Sequence, residues 1–448
     1  MKGACGEGIV NTSRAVRAIA PVLLAYIPTG FAASADHARI EQLTRNIEPQ
    51  VIAWRRDIHE HPELSNREVR TAKLVAEHLK RIGLEVQTGV AHTGVVGLLK
   101  GGRPGPTVAL RADMDALPVT EKTDVPFRSR ATGTYRGKTV GVMHACGHDA
   151  HTAVLMGVAS TLAELKESLP GNVLFIFQPA EEGAPDGEEG GARLMLKEGV
   201  FDKYSPQAAF GLHVTSNLRV GEIGVRSGPF YAASNRWQIE VIGKQAHGSR
   251  PWQGVDPILT AAQIITGLQG IVSRQVDLTE NPAVISVGII ESGVRNNIIP
   301  DRAEMIGTLR TFDDAQRDEI VASMKRIVEN TAEANGAKAT FTLLPDGYPV
   351  TYNDPDLTER MIPTLQQVAG EEHVKRMNLV TGAEDFSYFA QKVPSMYFQV
   401  GITPADQDPA SAPSNHSDFF YLDERGIPVA LRAMTQVAVD YLQQSANR

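Results

Sequence analysis

The chain of 448 residues contains little cysteine, with only Cys5 and Cys146 present. It also lacks any run rich in lysine and arginine, and its formal net charge is −8. The charge pattern therefore gives no indication of nucleic-acid or anionic-membrane binding, and a small molecule is the expected partner. No internal repeat or low-complexity tract is evident. With 42% hydrophobic and 21% charged residues, the composition predicts a globular protein of two domains, or one large domain with an insertion.

The N-terminal segment has the pattern of a secretory signal peptide. Three basic residues precede the apolar stretch "AIAPVLLAYIPTGFAASA", which ends in a small-x-small pattern at residues 33–35. A membrane-anchoring or buried helix is the alternative, but the two prolines, the glycine and the short apolar length argue against a spanning helix. We expect residues 1–35 to be removed and the mature protein to be exported to the periplasm or secreted, without a membrane span.

Removal of residues 1–35 would leave Cys146 as the single cysteine, because Cys5 lies inside that segment. An exported protein with one cysteine forms no internal disulfide. Cys146 is therefore a core residue, a metal ligand or a nucleophile.

The order of apolar and polar segments predicts an α/β fold. Helical patterns alternate with apolar strands such as "PTVALRADMDALP" and "GNVLFIFQPAEE", which indicates a mostly parallel sheet flanked by helices. From Arg236 the predicted order becomes βαββαβ, which is that of a ferredoxin-like unit. We predict a first domain built from residues 36–229 and 348–448, interrupted by an inserted domain over residues 230–347.

Several side chains suited to metal binding follow predicted strands. In "MHACGHDAHTA", Cys146 and His148 are two residues apart, so a short loop could turn both onto one transition-metal ion. A buried cysteine beside a structural histidine is the alternative. His144, Asp149 and His151 of the same stretch are expected to support the loop and the helix that follows it.

Two adjacent carboxylates, Glu181 and Glu182, follow an apolar strand in "PAEE". One could bind metal while the other takes a proton from water, although a solvated acidic turn is the alternative. His213 in "GLHV" and His416 in "NHSDFF" are each most simply structural. Five residues with metal-binding side chains at separate strand ends and loops are together unlikely to be accidental.

The motifs "RADMDALP", "MHACGHDAHTA", "PAEEG", "GLHV", "GAEDFSYF" and "NHSDFF", in this order around an inserted βαββαβ unit, resemble the M20 metallopeptidase family. Within it they resemble the amidohydrolase branch of hippurate hydrolases, aminoacylases and indole-acetyl-amino-acid hydrolases. The similarity runs from about Ile40 to the C-terminus.

The resemblance implies two divalent metal ions per subunit, with zinc or manganese expected and cobalt or nickel as alternatives. Its ligands fall on five residues: Cys146, His148, Glu182, His213 and His416. The family's catalytic glutamate falls on Glu181. Asp115 occupies a position expected to orient a ligand, with strand-end capping as the alternative, and the role of Asp113 stays open.

The inserted domain resembles the family's lid and dimerisation domain, which implies a homodimer or higher homo-oligomer. His247 in "GKQAHGSRP" matches the histidine that stabilises the oxyanion, often in the partner subunit's active site. Asn297 and Arg310 match positions that contact substrate. The alternatives are a histidine on the lid surface, an asparagine in a turn and an arginine paired within a sheet. Trp252 replaces a histidine found in many members, which leaves the acyl-group preference open.

The sequence therefore predicts metal-dependent hydrolysis of N-acyl amino acids to a carboxylic acid and a free amino acid. A metallo-dipeptidase or carboxypeptidase of the same family is the first alternative. A non-catalytic protein that binds small acids and a cysteine hydrolase built on Cys146 are weaker alternatives.

Overall fold

The computed structural model describes residues 30–446, with side chains described from His37 onward. Residues 1–29 of the predicted signal peptide lie outside the described residues, so cleavage near Ala35 stays a prediction. Within the described part of the chain, no helix is long and apolar enough to cross a membrane.

The main helices and strands follow one another in chain order as α1 (Gly30–Glu60), α2 (Val69–Arg81), β1 (Glu85–Val90), β2 (Gly94–Lys100), β3 (Arg103–Asp113), β4 (Thr132–Tyr135), β5 (Lys138–Gly141), α3 (His148–Leu165), β6 (Pro170–Gln178), α4 (Gly191–Lys197), α5 (Val200–Tyr204), β7 (Ala208–Arg219), β8 (Ile223–Val225), β9 (Gly228–Tyr231), β10 (Ala233–Ile242), β11 (Ala246–His247), α6 (Pro257–Arg274), β12 (Val284–Ser292), β13 (Ile298–Ile299), β14 (Arg302–Thr311), α7 (Asp314–Ala334), β15 (Lys338–Leu343), β16 (Thr351–Asn353), α8 (Pro355–Ala369), β17 (Val374–Arg376), α9 (Ser387–Ala390), β18 (Ser395–Thr403) and α10 (Ile427–Ala446).

The larger sheet has eight strands in the order β1-β2-β6-β3-β7-β18-β8-β17. Its four central strands β6, β3, β7 and β18 are parallel to one another, with Leu110 paired to both Phe175 and Phe210, whereas the flanking strands β2 and β8 run antiparallel to β6 and β18. These strands are nearly continuous apolar runs because both faces of the sheet are covered. The predicted α/β class is confirmed.

Successive residues of a central strand point to opposite layers of the core. Leu110 packs in the layer formed with α1, α3, α8 and α10, whereas its neighbour Ala109 packs in the layer formed with α4, α5 and α9. Helices therefore cover both faces, which leaves the ends of the strands as the exposed edge where side chains can form a site.

The inserted unit forms a second sheet of four antiparallel strands in the order β12-β14-β10-β15. Helices α6 and α7 pack on it around the fully buried Trp237. Gly307 lies against this indole, since a Cβ there would stand 2.1 Å from Trp237. The βαββαβ order agrees with the predicted ferredoxin-like unit.

Candidate metal centre

The turn after β6 places Glu181 and Glu182 at the carboxyl end of the parallel strands. The backbone N–H groups of these two residues donate to the two oxygens of Asp115, at 3.1 and 3.0 Å. Ser65 Oγ also donates to Asp115, at 2.8 Å. Asp115 is 1% exposed, so a buried carboxylate satisfied by these donors holds the turn in place.

His148 begins α3 and directs one ring nitrogen toward the two glutamates. Its Nδ1 lies 2.8 Å from the backbone carbonyl of Asp115, so in the neutral ring, the form that binds a metal ion, the proton is on Nδ1 and Nε2 carries the lone pair. This buried Nε2 has no hydrogen-bond partner among the described residues. It lies 3.8 Å from Glu181 Oε2 and 4.0 Å from Glu182 Oε1.

Gly147 allows the sharp turn between Cys146 and His148. Its φ is +97°, in the left-handed region, and a Cβ there would lie 2.3 Å from Val214 Cγ2. Glycine therefore suits this position on both backbone and steric grounds.

Cys146 lies at the centre of the cluster. Its Sγ is 3.3 Å from His213 Nε2 and 3.2 Å from His416 Nε2. The Nδ1 of His213 donates to the Val214 carbonyl at 2.6 Å, so its Nε2 also carries a lone pair. His416 Nε2 lies 3.0 Å from Glu182 Oε1. The five predicted ligands are thus brought together from four separate parts of the chain.

These ligands form two groups of three that share one atom. Cys146, His148 and His213 make one group, and Cys146, Glu182 and His416 make the other, with the ligand atoms of each group within 4.8 Å of one another. Thiolate, imidazole and carboxylate donors suit zinc and similar transition-metal ions. The residues therefore fit two divalent ions, and Cys146 would be available to both of them.

The electrostatics of the cluster favour cations. Burial, followed by the negative charges of Glu182 and Glu181, raises the pKa of the Cys146 thiol well above its ordinary range. Burial lowers the pKa of His148, but the Asp113 and Asp115 carboxylates outweigh it and raise the value to about 10. Buried negative charge contributes to both shifts, and a divalent cation would neutralise it.

Asp113, whose role the sequence left open, uses both oxygens within the protein. Oδ2 accepts from Arg111 at 2.7 Å, and Oδ1 accepts from His151 Nδ1 at 2.6 Å. His151 Nε2 accepts the N–H of Val214 at 2.9 Å, so the proton of His151 must be on Nδ1. Asp113 and His151 therefore support the cluster from behind, with Asp113 charged and fully buried.

The other two polar residues of the same stretch differ in their contacts. Asp149, in the first turn of α3, accepts from Arg55 Nε and pairs with His59 Nδ1, both at 2.8 Å. This agrees with a supporting role at the start of the helix. His144 is 1% exposed, and neither of its ring nitrogens has a hydrogen-bond partner among the described residues.

The three lid residues predicted to contact substrate lie apart from the cluster. Within the described part of the chain, no hydrogen bond or ion pair joins them to the five candidate ligands. His247 pairs with Ile298 in the short β11–β13 ladder, and the next residue, Gly248, donates its N–H to the Asn297 carbonyl at 2.8 Å. Both His247 and Asn297 are exposed. Arg310 is half-buried near the end of β14, where it donates to Ser234 Oγ.

Sequence reasoning missed an acidic pair next to Glu181. Glu384 and Asp385 each have a carboxylate oxygen within 4.8 Å of a Glu181 oxygen. Arg111 Nη2 lies 2.9 Å from both carboxylates and neutralises part of their charge. The motif "GAEDFSYF" was visible in the sequence, but the partner Arg111 lies 274 residues away from Asp385, so no local pattern linked them.

Sequence reasoning also missed Glu68, which ends the turn before α2. This carboxylate is fully buried and accepts from Ala180 N–H at 3.0 Å, next to Glu181. Thr93 Oγ1 donates to its other oxygen at 2.5 Å. Burial, followed by the charge of Asp115, raises the pKa of Glu68 to about 8. A glutamate at the start of an amphipathic helix is expected to be a solvent-exposed capping residue. Nothing in the sequence indicates that Glu68 is buried.

A cleft of about 850 Å³ opens beside the cluster. Glu182, Ser65 and Tyr348 line it on the side of the cluster, and Ser234 and Arg236 line it at the base of the inserted domain. Its size suits a small-molecule substrate.

The model of peptidase family M20/M25/M40 matches residues 109–440, which include all five candidate ligands and the inserted domain. The chain belongs to this family. Its members are hydrolases, and the two ligand groups sharing Cys146 agree with a dinuclear metal site.

Relatives in family M20/M25/M40 align along almost the whole chain. Thermostable carboxypeptidase 2 of Saccharolobus solfataricus is 42% identical over 404 residues, which cover 90% of this chain and 98% of the relative. N-acetylcysteine deacetylase of Bacillus subtilis is 38% identical over 402 residues, covering 88% and 97%. The crystal structure of the Bacillus subtilis YXEP protein, a dinuclear metal binding peptidase from the M20 family, matches with a TM-score of 0.74 at 36% identity, covering 89% and 99%.

Proposed function

We propose that this protein hydrolyses the amide bond of N-acyl amino acids, releasing a carboxylic acid and a free amino acid. The observation that carries the proposal is the pair of ligand groups sharing Cys146, with the additional carboxylate of Glu181 beside them. N-acetylcysteine deacetylase, whose name describes this reaction type, supports the acyl substrate. Zinc or manganese is the proposed native metal, because of the mixed sulfur, nitrogen and oxygen donors.

Glu181 is the proposed general base. Divalent ions at such a site, when bound, polarise a carbonyl and lower the pKa of water. Glu181 takes the proton of the attacking water onto a carboxylate oxygen and then delivers it to the nitrogen of the leaving amine. Burial, followed by the negative charges of Glu384 and Glu182, raises the pKa of Glu181 well above its ordinary range, which favours a base that can hold the proton between the two steps.

His247 is the proposed donor to the oxyanion. Its Nδ1 accepts the backbone N–H of Ser249 at 3.1 Å, so in the neutral ring the proton lies on Nε2. An exposed Nε2–H can donate to the negative oxygen of the tetrahedral intermediate once the lid and the cluster meet around the substrate. In a homodimer, His247 of one subunit could reach the cluster of the other subunit, so the lid would not have to close onto the cluster of its own chain. We propose this dimer.

Arg310 and Asn297 are the proposed contacts of the substrate carboxylate. Arg310 has no carboxylate partner among the described residues, and burial lowers its pKa. A half-buried guanidinium without a negative partner is suited to binding a carboxylate of the substrate. An amino acid leaving group supplies such a carboxylate.

A carboxypeptidase activity is the second candidate, because the first relative reported above is named a thermostable carboxypeptidase. A peptide and an N-acyl amino acid both present a carboxylate next to the bond that is cut. The two activities therefore differ at the acyl side of the bond, where a peptide adds an amino group.

The deciding experiment is a substrate panel run on metal-analysed protein. N-acetyl, N-benzoyl, long-chain acyl and indole-acetyl amino acids are compared with dipeptides and longer peptides at equal concentration. We expect turnover of at least one acyl series, loss after chelation, and recovery with zinc, manganese, cobalt or nickel. Turnover that survives chelation but is stopped by a thiol-alkylating reagent would instead indicate a cysteine hydrolase.

We also propose export with cleavage near Ala35, which is supported by the basic, apolar and small-residue pattern of residues 1–35. Expression of the full chain in a bacterial host, followed by N-terminal sequencing of the protein from periplasm and medium, tests it. A protein that keeps Met1 and stays in the cytoplasm would refute it.

A further inference from the structure

The turn that carries Glu181 is held at its backbone by side chains from distant parts of the chain. Ala180 has a left-handed φ of 53°, and its N–H donates to Glu68 at 3.0 Å. The N–H groups of Glu181 and Glu182 donate to Asp115 at 3.1 and 3.0 Å. A residue with a side chain keeps a left-handed conformation only where its surroundings impose it. The geometry of the turn therefore depends on these outside contacts.

Tyr348 supplies one more contact, from the segment where the chain leaves the inserted domain. Its hydroxyl donates to the backbone carbonyl of Glu181 at 2.7 Å. Its own backbone pairs with Ser234, with N–H to carbonyl distances of 2.8 and 2.9 Å in the two directions. Ser234 lies at the start of β10, where the chain enters the inserted domain. Through its backbone and its hydroxyl, Tyr348 thus links the two chain segments that enter and leave the inserted domain to Glu181.

The contacts of Tyr348 and Asp115 act on a single peptide group. The carbonyl of Glu181 and the N–H of Glu182 belong to the same planar unit, and Tyr348 holds one end while Asp115 holds the other. The preceding peptide is held through the N–H of Glu181, which also donates to Asp115. With the peptides on both sides of its Cα fixed, the direction in which the Glu181 side chain leaves the backbone is fixed as well.

We propose that Tyr348 is a positioning residue that holds Glu181 through its peptide carbonyl and so couples the inserted domain to the general base. The proposal rests on the proposed role of Glu181. Without the Tyr348 hydroxyl, the carbonyl of the buried Glu181 loses its donor and the peptide can rotate, while the candidate metal ligands outside this turn keep their own contacts.

Tyr388 provides a matched control. Its hydroxyl donates to the Gly347 carbonyl at 2.6 Å, next to Tyr348 in the same linker, and the two rings lie 6.2 Å apart. Tyr388→Phe therefore removes a hydroxyl and one linker hydrogen bond, as Tyr348→Phe does, but it leaves the Glu181 carbonyl untouched. General loosening of the linker would affect both variants alike.

The test compares the wild type, Tyr348→Phe and Tyr388→Phe as full-length, metal-loaded proteins. Amide hydrogen exchange is followed in the peptide that spans residues 180–183, and kcat and KM are measured on the best substrate of the panel. In Tyr348→Phe we expect exchange of the turn about tenfold faster and kcat about tenfold lower, the scale of one unpaired buried acceptor. We expect unchanged KM and metal content, and a change within about twofold for Tyr388→Phe.

Unchanged exchange of the turn in Tyr348→Phe would overturn the proposal, as would equal effects in the two variants. A higher KM with unchanged exchange would also overturn it, since Tyr348 would then act as a substrate contact. If the wild type hydrolyses no N-acyl amino acid, the proposed function fails on its own. The exchange comparison still decides whether Tyr348 holds the turn.

Discussion

Glu181 and Glu182 are chemically identical neighbours that the turn after β6 places in different surroundings. A Glu182 oxygen lies 3.0 Å from His416 Nε2, within a group of three candidate ligands. Glu181 is 5% exposed and faces Glu384 and Asp385, whose charge is shared with Arg111. This difference in surroundings separates a candidate ligand from a candidate base.

Glu181→Gln should therefore keep both metal ions and lose turnover. The amide matches the carboxylate in size but cannot accept the proton of the attacking water, so we expect kcat to fall about 10²- to 10⁴-fold. Metal analysis and steady-state kinetics on one sample measure both effects. Glu182→Gln is the control, in which metal content should fall. Activity near that of the wild type in Glu181→Gln would remove this residue from the chemistry.

Cys146→Ala should lower the content of both metal ions, because its sulfur belongs to both ligand groups. His213→Ala, which changes a member of only one of these two groups, should lower the content of one ion. Dialysis against metal-free buffer followed by elemental analysis gives the number of ions kept per chain. A Cys146→Ala protein with two tightly held ions would show that the thiol is a neighbour of the site and not a shared ligand.

At the scale of elements, the loop that carries His416 is held by a segment between β3 and α3. Lys122 donates its backbone N–H to the Asp418 carbonyl at 2.8 Å, and its Nζ lies 2.6 Å from the Asp418 carboxylate. The His416 N–H donates to the Ala145 carbonyl at 2.8 Å, and His416 has a left-handed φ of 74°. The position of this candidate ligand thus depends on contacts outside its own loop.

Lys122→Ala should weaken binding of one metal ion through His416. The ion pair is half-exposed and the backbone contact survives, so we expect a loss of about two- to fivefold in affinity, corresponding to up to about 1 kcal/mol. Competition with a chromogenic chelator measures it. Lys138→Ala, in β5 and exposed, is the control and should bind as the wild type does. An equal loss of affinity for both metal ions, or in both variants, would contradict the proposed link between Lys122 and His416.

At the scale of the whole molecule, the helical layer over the larger sheet contains a buried histidine. His78 of α2 is 4% exposed, with its ring 4.5 Å from that of Trp54 and its Nε2 2.9 Å from Ser160 Oγ in α3. Burial lowers the pKa of His78 to about 4. The native protein therefore holds this histidine neutral under conditions where an unfolded chain would protonate it.

Stability should fall with pH below about 6.5, since the unfolded state then binds a proton that the native state excludes until the pH approaches 4. For this single group, the free energy of unfolding should drop by about 2 kcal/mol between pH 7.5 and pH 5. Urea unfolding at both pH values measures it. His78→Gln should remove this share of the pH dependence, while the exposed His373→Gln should keep it. If the free energy of unfolding changed equally with pH in His78→Gln and in the wild type, His78 would not be the source of this pH dependence.

The fold could be predicted from the sequence where the information is local. Apolar periodicity and punctuation by glycine and proline indicated the α/β class and the βαββαβ order, because these patterns report which face of each element is buried. The residue types in "HACGHD" and "PAEE" indicated metal and proton chemistry for the same local reason. The roles of His247, Asn297 and Arg310 toward the substrate, and the signal peptide, stay predictions.

The sequence alone determined which elements form and which chemical groups are present. The tertiary structure decided which groups meet: Cys146 lies beside His213 and His416, which are 67 and 270 residues away. It also decided that the two carboxylate oxygens of Asp113 accept hydrogen bonds from Arg111 and His151. Contacts between residues so far apart in sequence depend on which strand ends lie side by side and on which buried charges are paired. A short stretch of sequence determines neither of these.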